Sequence, residues 1–181
     1  MPPEELWHSF FDPATILVEL GLSPDANCVV DFGCGYGTFC LPAAKMVRGR
    51  VYALDIEPEM VAATQQKAEE QRVDNLNVLQ RDFVASGCGL ADSAADYVML
   101  FNILHAAEAQ SLLAEARRVL KAGGKLGVMH WNFDPNTPRG PSMDIRLRPE
   151  QCLELVKKAG FDVTSLVELP PYHFGFVAIR P

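Results

Sequence analysis

The residues best suited to chemistry begin with an acidic side chain and three glycines. Asp31 precedes the spacing Gly33-x-Gly35-x-Gly37, and Asp55 lies 20 residues beyond Gly35. Glycines let a backbone turn sharply and approach a ligand without a Cβ in the way. A carboxylate at the end of the following strand is where the ribose hydroxyls of a nucleotide-like cofactor are bound. The glycine turn and Asp55 together predict a site for such a cofactor.

The glycine spacing separates two classes of cofactor. Dinucleotide sites use Gly-x-Gly-x-x-Gly to seat a pyrophosphate on a helix N-terminus, whereas this chain has Gly-x-Gly-x-Gly. The acidic Asp31 also suits a ligand that carries an ammonium group better than one that carries phosphates. A nicotinamide-dependent oxidoreductase is therefore disfavoured. The structural alternative is a glycine turn that merely joins a strand to a helix.

Strand-length apolar runs alternate with helical patterns along the chain, which is typical of βαβ units. The predicted strands are Cys28–Phe32, Val51–Leu54, Leu76–Leu79, Tyr97–Phe101, Lys125–His130, Val163–Leu169 and Phe174–Ile179. The predicted helices begin at Pro13, Thr38, Pro58, Glu108 and Pro149. The turn between the last two strands is too short for a crossover helix, so they should be antiparallel. We predict an α/β fold with a doubly wound, seven-stranded, mostly parallel sheet and an antiparallel last strand.

Length and composition favour one globular domain over residues 1–181. The net charge is −7 and no basic face is evident, which disfavours direct binding of nucleic acid. No apolar run approaches the roughly 20 residues of a membrane span, and the N-terminus lacks the pattern of a signal peptide, so we expect a cytoplasmic protein. The five cysteines include no CxxC pair, and we interpret them as small buried apolar residues, with no metal site.

The segment Asp31–Gly37 resembles motif I of the class I S-adenosylmethionine-dependent methyltransferases. The similarity continues through Ala53–Met60, Gln80–Phe83, Asp96–Asn102 and Arg117–Gly124. Within that class, the chain is most similar to the small-molecule branch that includes ubiquinone- and menaquinone-biosynthesis methyltransferases. The resemblance implies a Rossmann-like methyltransferase fold, S-adenosylmethionine as cofactor and methyl transfer as the activity.

The same resemblance assigns cofactor contacts residue by residue. Asp31 would lie near the ammonium group, and Gly33, Cys34, Gly35 and Gly37 would pass under the methionine part. The remaining contacts would be Asp55 with the ribose diol, Ile56 and Met60 along the adenine ring, Asp82 with its amino group, Phe83 beside the ring, and Asn102 at the reactive end. As an alternative, Asp82 caps a turn and Phe83 belongs to the core.

Catalytic candidates follow the fourth and fifth strands, because ligands of open α/β sheets bind beyond the carboxyl ends of the strands. They are Asn102, His105 and His130, with Trp131 beside them. An imidazole titrates near neutrality and suits a general base, although histidines at strand ends are often structural. Asn102 is followed by Ile103 and not by Pro-Pro and an aromatic residue, which departs from the pattern of DNA and protein N-methyltransferases.

The sequence therefore predicts methyl transfer to a small or medium-sized, apolar or aromatic acceptor. The alternative is a non-catalytic S-adenosylmethionine-binding or regulatory protein of the same fold. The irregular segment Trp131–Arg148 is longer than most connections and is a candidate lid, together with the N-terminal arm. A second subunit, in a homodimer, would be the other source of a lid. Aromatic residues that close a pocket or cover the sheet edge are Trp7, Phe10, Phe11, Tyr172, His173 and Phe174.

Overall fold

The computed structural model describes Phe10 and residues 12–181; Trp7 and Phe11 lie outside the described residues. The helices are α1 (Pro13–Glu19), α2 (Cys40–Met46), α3 (Pro58–Glu70), α4 (Phe83–Ser86), α5 (Ala109–Val119) and α6 (Pro149–Lys158). The strands are β1 (Cys28–Phe32), β2 (Arg50–Asp55), β3 (Leu76–Gln80), β4 (Ala95–Phe101), β5 (Leu120–Trp131), β6 (Asp162–Val163), β7 (Val167–Leu169) and β8 (His173–Ile179).

The sheet has the order β3-β2-β1-β4-β5-β8-β6, and β7 also pairs with β8. The first five strands in this order are mutually parallel, and β8 is antiparallel to each of its neighbours. The prediction of a mostly parallel sheet with an antiparallel last strand is confirmed. The chain order reverses between β1 and β4, and such a switch point opens a crevice at the carboxyl ends of the strands.

Among the described residues the sheet has eight strands, and the predicted count of seven was wrong at one place. The expected strand Val163–Leu169 is divided into β6 and β7. Thr164 lies at the division, where its hydroxyl donates to the Val177 carbonyl at 2.8 Å and accepts from the Val177 N–H at 3.2 Å. A side chain that competes for ladder bonds in this way interrupts regular pairing. Both segments still pair with β8.

Apolar layers cover both faces of the sheet, because its central strands carry apolar residues on both of their faces. In β4, Tyr97 and Met99 face a core with α1 and α2, whereas Val98 and Leu100 face a core with α5 and α6. Asp12 caps α1, since its carboxylate accepts from the N–H groups of Ala14 and Thr15. In the described part of the chain, no helix is long and apolar enough to cross a bilayer.

Two predicted boundaries were wrong next to the glycines. Helix α5 ends at Val119, and β5 begins at Leu120, five residues before the predicted Lys125. Leu120 is fully buried and pairs with Ala95, after which the register shifts and Gly123 bonds to the Arg180 carbonyl. Helix α2 begins at Cys40 and not at Thr38, because the glycine turn extends further than its spacing suggested. The short helix α4 was not predicted.

Candidate functional site

The glycine turn joins β1 to α2 in backbone conformations that favour glycine. Gly33, Gly35 and Gly37 have φ angles of 82°, 52° and 81°. The N–H groups of Gly33 and Cys34 both donate to the Leu54 carbonyl, at 2.8 and 2.9 Å, so the turn is bonded directly to the end of β2. The turn therefore holds its shape through the neighbouring strand and leaves its outer surface free of side chains.

Asp55 fixes the turn from the end of β2. Its carboxylate accepts from the Gly35 N–H at 2.8 Å through one oxygen and from the Glu57 N–H at 3.0 Å through the other. Each carboxylate oxygen has two lone pairs, so both oxygens keep capacity for a further donor. A diol is a ligand with two such donors. The side chain is 7% exposed, which leaves it reachable only from the crevice.

Asp31 lies beneath the turn and is almost fully buried, with 3% exposure. Burial, and secondly the charge of nearby Asp55, raises the pKa of the Asp31 carboxyl to about 7. The Asp31 carboxyl therefore titrates near neutral pH, close to the carboxylate of Asp55. A cation placed beside the pair would favour the ionised form of both groups.

A cavity of about 230 Å³ lies over the turn at the carboxyl ends of β1 and β4. It is lined by Gly33, Cys34, Gly35, Tyr36, Thr38, Phe39, Asp55, Glu57, Met60, Phe101, Asn102 and Ile103. The rings of Phe39 and Phe101 pack edge to face at 4.8 Å and form one apolar wall. Larger cavities occur elsewhere. A 620 Å³ groove between α5 and α6 contains none of the candidate residues, whereas a 530 Å³ groove between α1 and the far end of the glycine turn is lined by Gly37.

The residues expected along an adenine ring differ in their surroundings. Ile56 is 52% exposed and follows Asp55 at the end of β2, and Met60 lines the cavity. Asp82 caps α4, accepting from the N–H groups of Val84 and Ala85 through one oxygen. Phe83 is buried and packs edge to face on Phe32 at 5.1 Å. Asp82 and Phe83 therefore have the geometry of the alternative interpretation, in which Asp82 caps a turn and Phe83 belongs to the core.

Three imidazoles lie near the carboxyl ends of β4 and β5: His105 follows β4, His130 lies within β5 and His173 begins β8. The prediction that His130 and Trp131 follow the fifth strand was wrong, because β5 continues to Trp131. His105 and His130 lie with ring centroids 5.6 Å apart, and His173 lies on the opposite side of β5. The Nδ1 atom of His130 is 3.2 Å from the Trp131 carbonyl oxygen. Because a carbonyl can only accept, this contact places the proton on Nδ1 and leaves Nε2 with a lone pair. Nε2 of His130 and Nδ1 of His105 have no hydrogen-bond partner among the described residues.

Burial keeps these rings neutral. It lowers the pKa of His105, and the nearby charge of Arg146 lowers it further. Burial, with smaller effects of His105 and Arg146, lowers the pKa of His130 to about 4. Burial, followed by His130 and Arg146, lowers the pKa of His173 to about 3. At neutral pH each ring therefore presents a lone pair.

Asn102 connects the cavity to this cluster. It ends β4 with a φ of 56°, a conformation that asparagine tolerates better than most residues. Its Nδ2 atom lies 3.3 Å from Nε2 of His173, and its buried Oδ1 has no hydrogen-bond partner in the described part of the chain. The His173 ring in turn packs on Trp131, with centroids 4.1 Å apart. Asn102 therefore touches both the glycine cavity and the aromatic cluster.

The structure brings together most of the candidates that the sequence named. One cavity is lined by Gly33, Cys34, Gly35, Asp55, Met60 and Asn102, whereas Asp31 and Gly37 do not line it. The rings of His105 and His130 lie next to each other. Sequence reasoning missed Arg146, which lies inside the Trp131–Arg148 segment without a motif to mark it. His173 was considered only as one member of an aromatic group, because the residues next to it in sequence carry no further signal.

Comparison with known proteins gives consistent relatives. A family model described as a methyltransferase domain matches residues 29–124. Aklanonic acid methyltransferase DauC from Streptomyces sp. (strain C5) is 29% identical over 156 residues, covering 83% of this chain and 70% of that protein. Ribosomal protein L11 methyltransferase from Methylococcus capsulatus is 39% identical over 99 residues, covering 54% of this chain and 31% of that protein. The chain thus matches only about a third of the length of this second relative.

A solved structure agrees over nearly the whole chain. The SAM dependent methyltransferase from Aquifex aeolicus superposes with a TM-score of 0.86 at 28% identity, covering 95% of this chain and 91% of that one. A sheet with its crevice at the switch point defines a broad class of α/β proteins that bind nucleotide-like cofactors. Within that class, this chain belongs to the S-adenosylmethionine-dependent methyltransferase family. The resemblance read from Asp31–Gly37 is confirmed, and with it S-adenosylmethionine as the cofactor.

The residues of the crevice fit this cofactor. A Cβ built on Gly33 would come within 3.1 Å of the Ile103 side chain, and one on Gly37 within 2.8 Å of Leu41, so space as well as the positive φ favours glycine at both positions. Asp55 has spare acceptor capacity for a diol, and the buried Asp31 carboxyl would be stabilised in its ionised form by a cation. The unpartnered Oδ1 of Asn102 marks a place for a donor at the far end.

Proposed function

We propose that this chain transfers a methyl group from S-adenosylmethionine to a small or medium-sized, apolar or aromatic acceptor bound beyond β4 and β5. The observation that carries the proposal is the continuity from the glycine cavity, through Asn102, to the neutral imidazoles. The bound cofactor would supply a methyl carbon activated by a positively charged sulfur leaving group. The protein's task is then to align the acceptor, exclude water and remove a proton where the acceptor carries one.

The cofactor contacts are proposed as follows. Gly33, Cys34, Gly35 and Gly37 would form the floor under the methionine part. Asp31 would pair with its ammonium group, and Asp55 with the ribose hydroxyls. Ile56 and Met60 would pack along the adenine ring, because Ile56 supplies exposed apolar surface next to Asp55 and Met60 lines the cavity. Asp82 would use the oxygen that does not cap α4, and Phe83 would support the site by packing beneath it.

His105 and His130 differ in burial, and their proposed roles differ accordingly. His105 is partly exposed, whereas His130 is fully enclosed. We therefore propose His105 as the general base that takes the acceptor's proton and His130 as a positioning residue behind it. Asn102 would lie against the reacting end through its unpartnered carbonyl oxygen.

Aromatic surface near the reactive end supports an apolar or aromatic acceptor. Phe39, Phe101 and Ile103 line the cavity, and Trp131 packs beside the cluster. DauC, a relative named for methylating one small molecule, aklanonic acid, is consistent with this class of acceptor. The acidic net charge is consistent with an acceptor other than nucleic acid.

Labelled-methyl transfer into a metabolite extract tests the proposal. The wild-type chain should label at least one apolar or aromatic metabolite, and His105→Gln should reduce the rate by about 100-fold, the usual contribution of a general base. Glu108→Gln, an exposed change one turn away, provides the control. Binding of the cofactor without labelling of any acceptor would contradict methyl transfer and favour a non-catalytic binding protein.

A further inference from the structure

Arg146 is a buried cation without a carboxylate partner. Only 7% of the residue is exposed, and no Asp or Glu lies within ion-pair distance of its guanidinium among the described residues. Burial lowers the pKa of Arg146, but a guanidinium stays protonated in proteins. A charge taken out of water is costly unless its donors are satisfied. Hydrogen-bond acceptors other than carboxylates must therefore compensate the buried charge of Arg146.

Backbone carbonyls of the β5–α6 loop (residues 132–148) supply that compensation. Nε and Nη2 donate to the Pro141 carbonyl at 3.0 and 2.7 Å, and Nη2 also donates to the Arg139 carbonyl at 3.3 Å. Nη1 donates to the carbonyls of Asn132 and Asp134 at 3.2 and 2.9 Å and to the Thr137 hydroxyl at 2.5 Å. The loop is thus wrapped around one guanidinium, which donates to four of its backbone carbonyls.

The wrapped loop contacts the end of β5 at Gly140. Gly140 has a φ of 117°, and a Cβ there would lie 2.7 Å from Nη2 of Arg146 and 3.0 Å from the Trp131 ring. Gly140 is therefore the point at which the loop backbone, Arg146 and Trp131 meet. The Arg148 guanidinium stacks over the Phe133 ring at 3.8 Å and closes the base of the loop.

The contacts continue from the loop to the cofactor cavity. Trp131 packs on His173, and His173 contacts Asn102, which lines the cavity over the glycine turn. Arg146 also acts on the imidazoles by its charge: it opposes protonation of His105, His130 and His173. The other charged or titratable groups that act on this set are the histidines themselves and Asp134, which faces Arg146.

We infer that Arg146 is a positioning residue: it folds the β5–α6 loop into a fixed wall of the acceptor site and holds Trp131, His173 and Asn102 in place behind it. This inference rests on the proposed function for the meaning of the site, but not for the structure of the loop. It also assigns the lid to this chain's own loop.

Two variants separate the shape of the guanidinium from its charge. Arg146→Lys keeps a cation but has three donors in place of a five-donor fork, and Arg146→Gln removes the charge as well. Hydrogen exchange of loop amides should be about tenfold faster in both variants, which corresponds to about 1.4 kcal/mol of lost local stability. Arg139→Gln, which changes an exposed cation in the same loop, should leave loop exchange within about twofold.

Histidine titration followed by NMR provides the readout that a loss of stability alone would not move. The pKa values of the three imidazoles should rise in Arg146→Gln and stay near the wild-type values in Arg146→Lys. Gly140→Ala should loosen the same loop amides with Arg146 intact. Unchanged loop exchange in Arg146→Gln, or unchanged pKa values of the three imidazoles in that variant, would overturn the inference.

Calorimetry with S-adenosylmethionine distinguishes this inference from the proposed function. The affinity should stay within about tenfold in both Arg146 variants, because the loop lines no part of the cofactor cavity and reaches it only through Trp131, His173 and Asn102. A much weaker affinity in the folded variants would overturn the assignment to the acceptor site. No binding by the wild-type chain would refute the proposed function, whereas the exchange and titration results would still decide the role of Arg146.

Discussion

Replacing Asp31 with asparagine should make the folded chain more stable and the cofactor site weaker. Burial beside Asp55 raises the pKa of Asp31 from 3.8 to about 7. That difference corresponds to about 4 kcal/mol, the upper limit of the cost of ionising this carboxyl in the folded protein. Wild-type stability from the neutral carboxyl is complete below about pH 4 and is lost as the pH rises through about 7.

Urea denaturation of wild type and Asp31→Asn at pH 5 and pH 8 measures this cost. The stability advantage of the variant should grow by about 2 to 3 kcal/mol between the two pH values and stay level above pH 8. Titration of the histidines cancels, because both proteins contain them. Asp74→Asn, an exposed change, is the control and should show no such growth. An advantage that does not change with pH would refute the protonated, buried state of Asp31.

The same variant should bind S-adenosylmethionine about 30-fold more weakly at pH 8, because a charge-assisted hydrogen bond contributes about 2 kcal/mol. The wild-type affinity should rise with pH up to about pH 7.5, as Asp31 must lose its proton to pair with an ammonium group. The affinity of the variant should be independent of pH over that range. Calorimetry at three pH values measures both effects, and a pH-dependent variant would contradict the pairing.

Three further changes test other parts of the site. Asp55→Asn should weaken cofactor binding by about 100-fold and lower stability by about 1 kcal/mol, since the carboxylate holds two backbone N–H groups; unchanged calorimetry would exclude it from the ribose site. Gly37→Ala should cost about 1 to 2 kcal/mol in urea denaturation, because φ is 81° and the new Cβ would press on Leu41; wild-type stability would contradict the strained turn. His130→Gln should reduce the loss of stability on acidification from pH 7 to pH 4 by about 2 kcal/mol, since burial lowers the pKa of His130 to about 4 and unfolding must protonate it; an unchanged acid profile would contradict its burial as a neutral ring.

The parts of the fold that sequence predicted are those governed by local patterns. Strand β1, with its alternating apolar faces, was predicted with its bounds of Cys28–Phe32. The antiparallel β8 followed from a connection too short for a crossover. The glycine turn was placed because glycine spacing and a carboxylate 20 residues later carry a direct physical meaning.

The features that sequence did not reveal depend on contacts between distant residues. The division at Thr164 arises from a hydroxyl that bonds to Val177, 13 residues away, in place of a ladder bond. The role of Arg146 depends on the path of a loop without regular structure, and no spacing rule describes such a path. His173 reaches Asn102 across 71 residues and only after β8 pairs with β5.

Calorimetric titration of the wild-type chain with S-adenosylmethionine, its demethylated product and NADH tests the central claim most directly. We expect a dissociation constant of roughly micromolar order for S-adenosylmethionine and for its demethylated product. We expect no heat of binding for NADH, because the glycine turn and the carboxylates Asp31 and Asp55 leave no place for a pyrophosphate. Binding of NADH, or no heat with the adenosyl ligands, would contradict it.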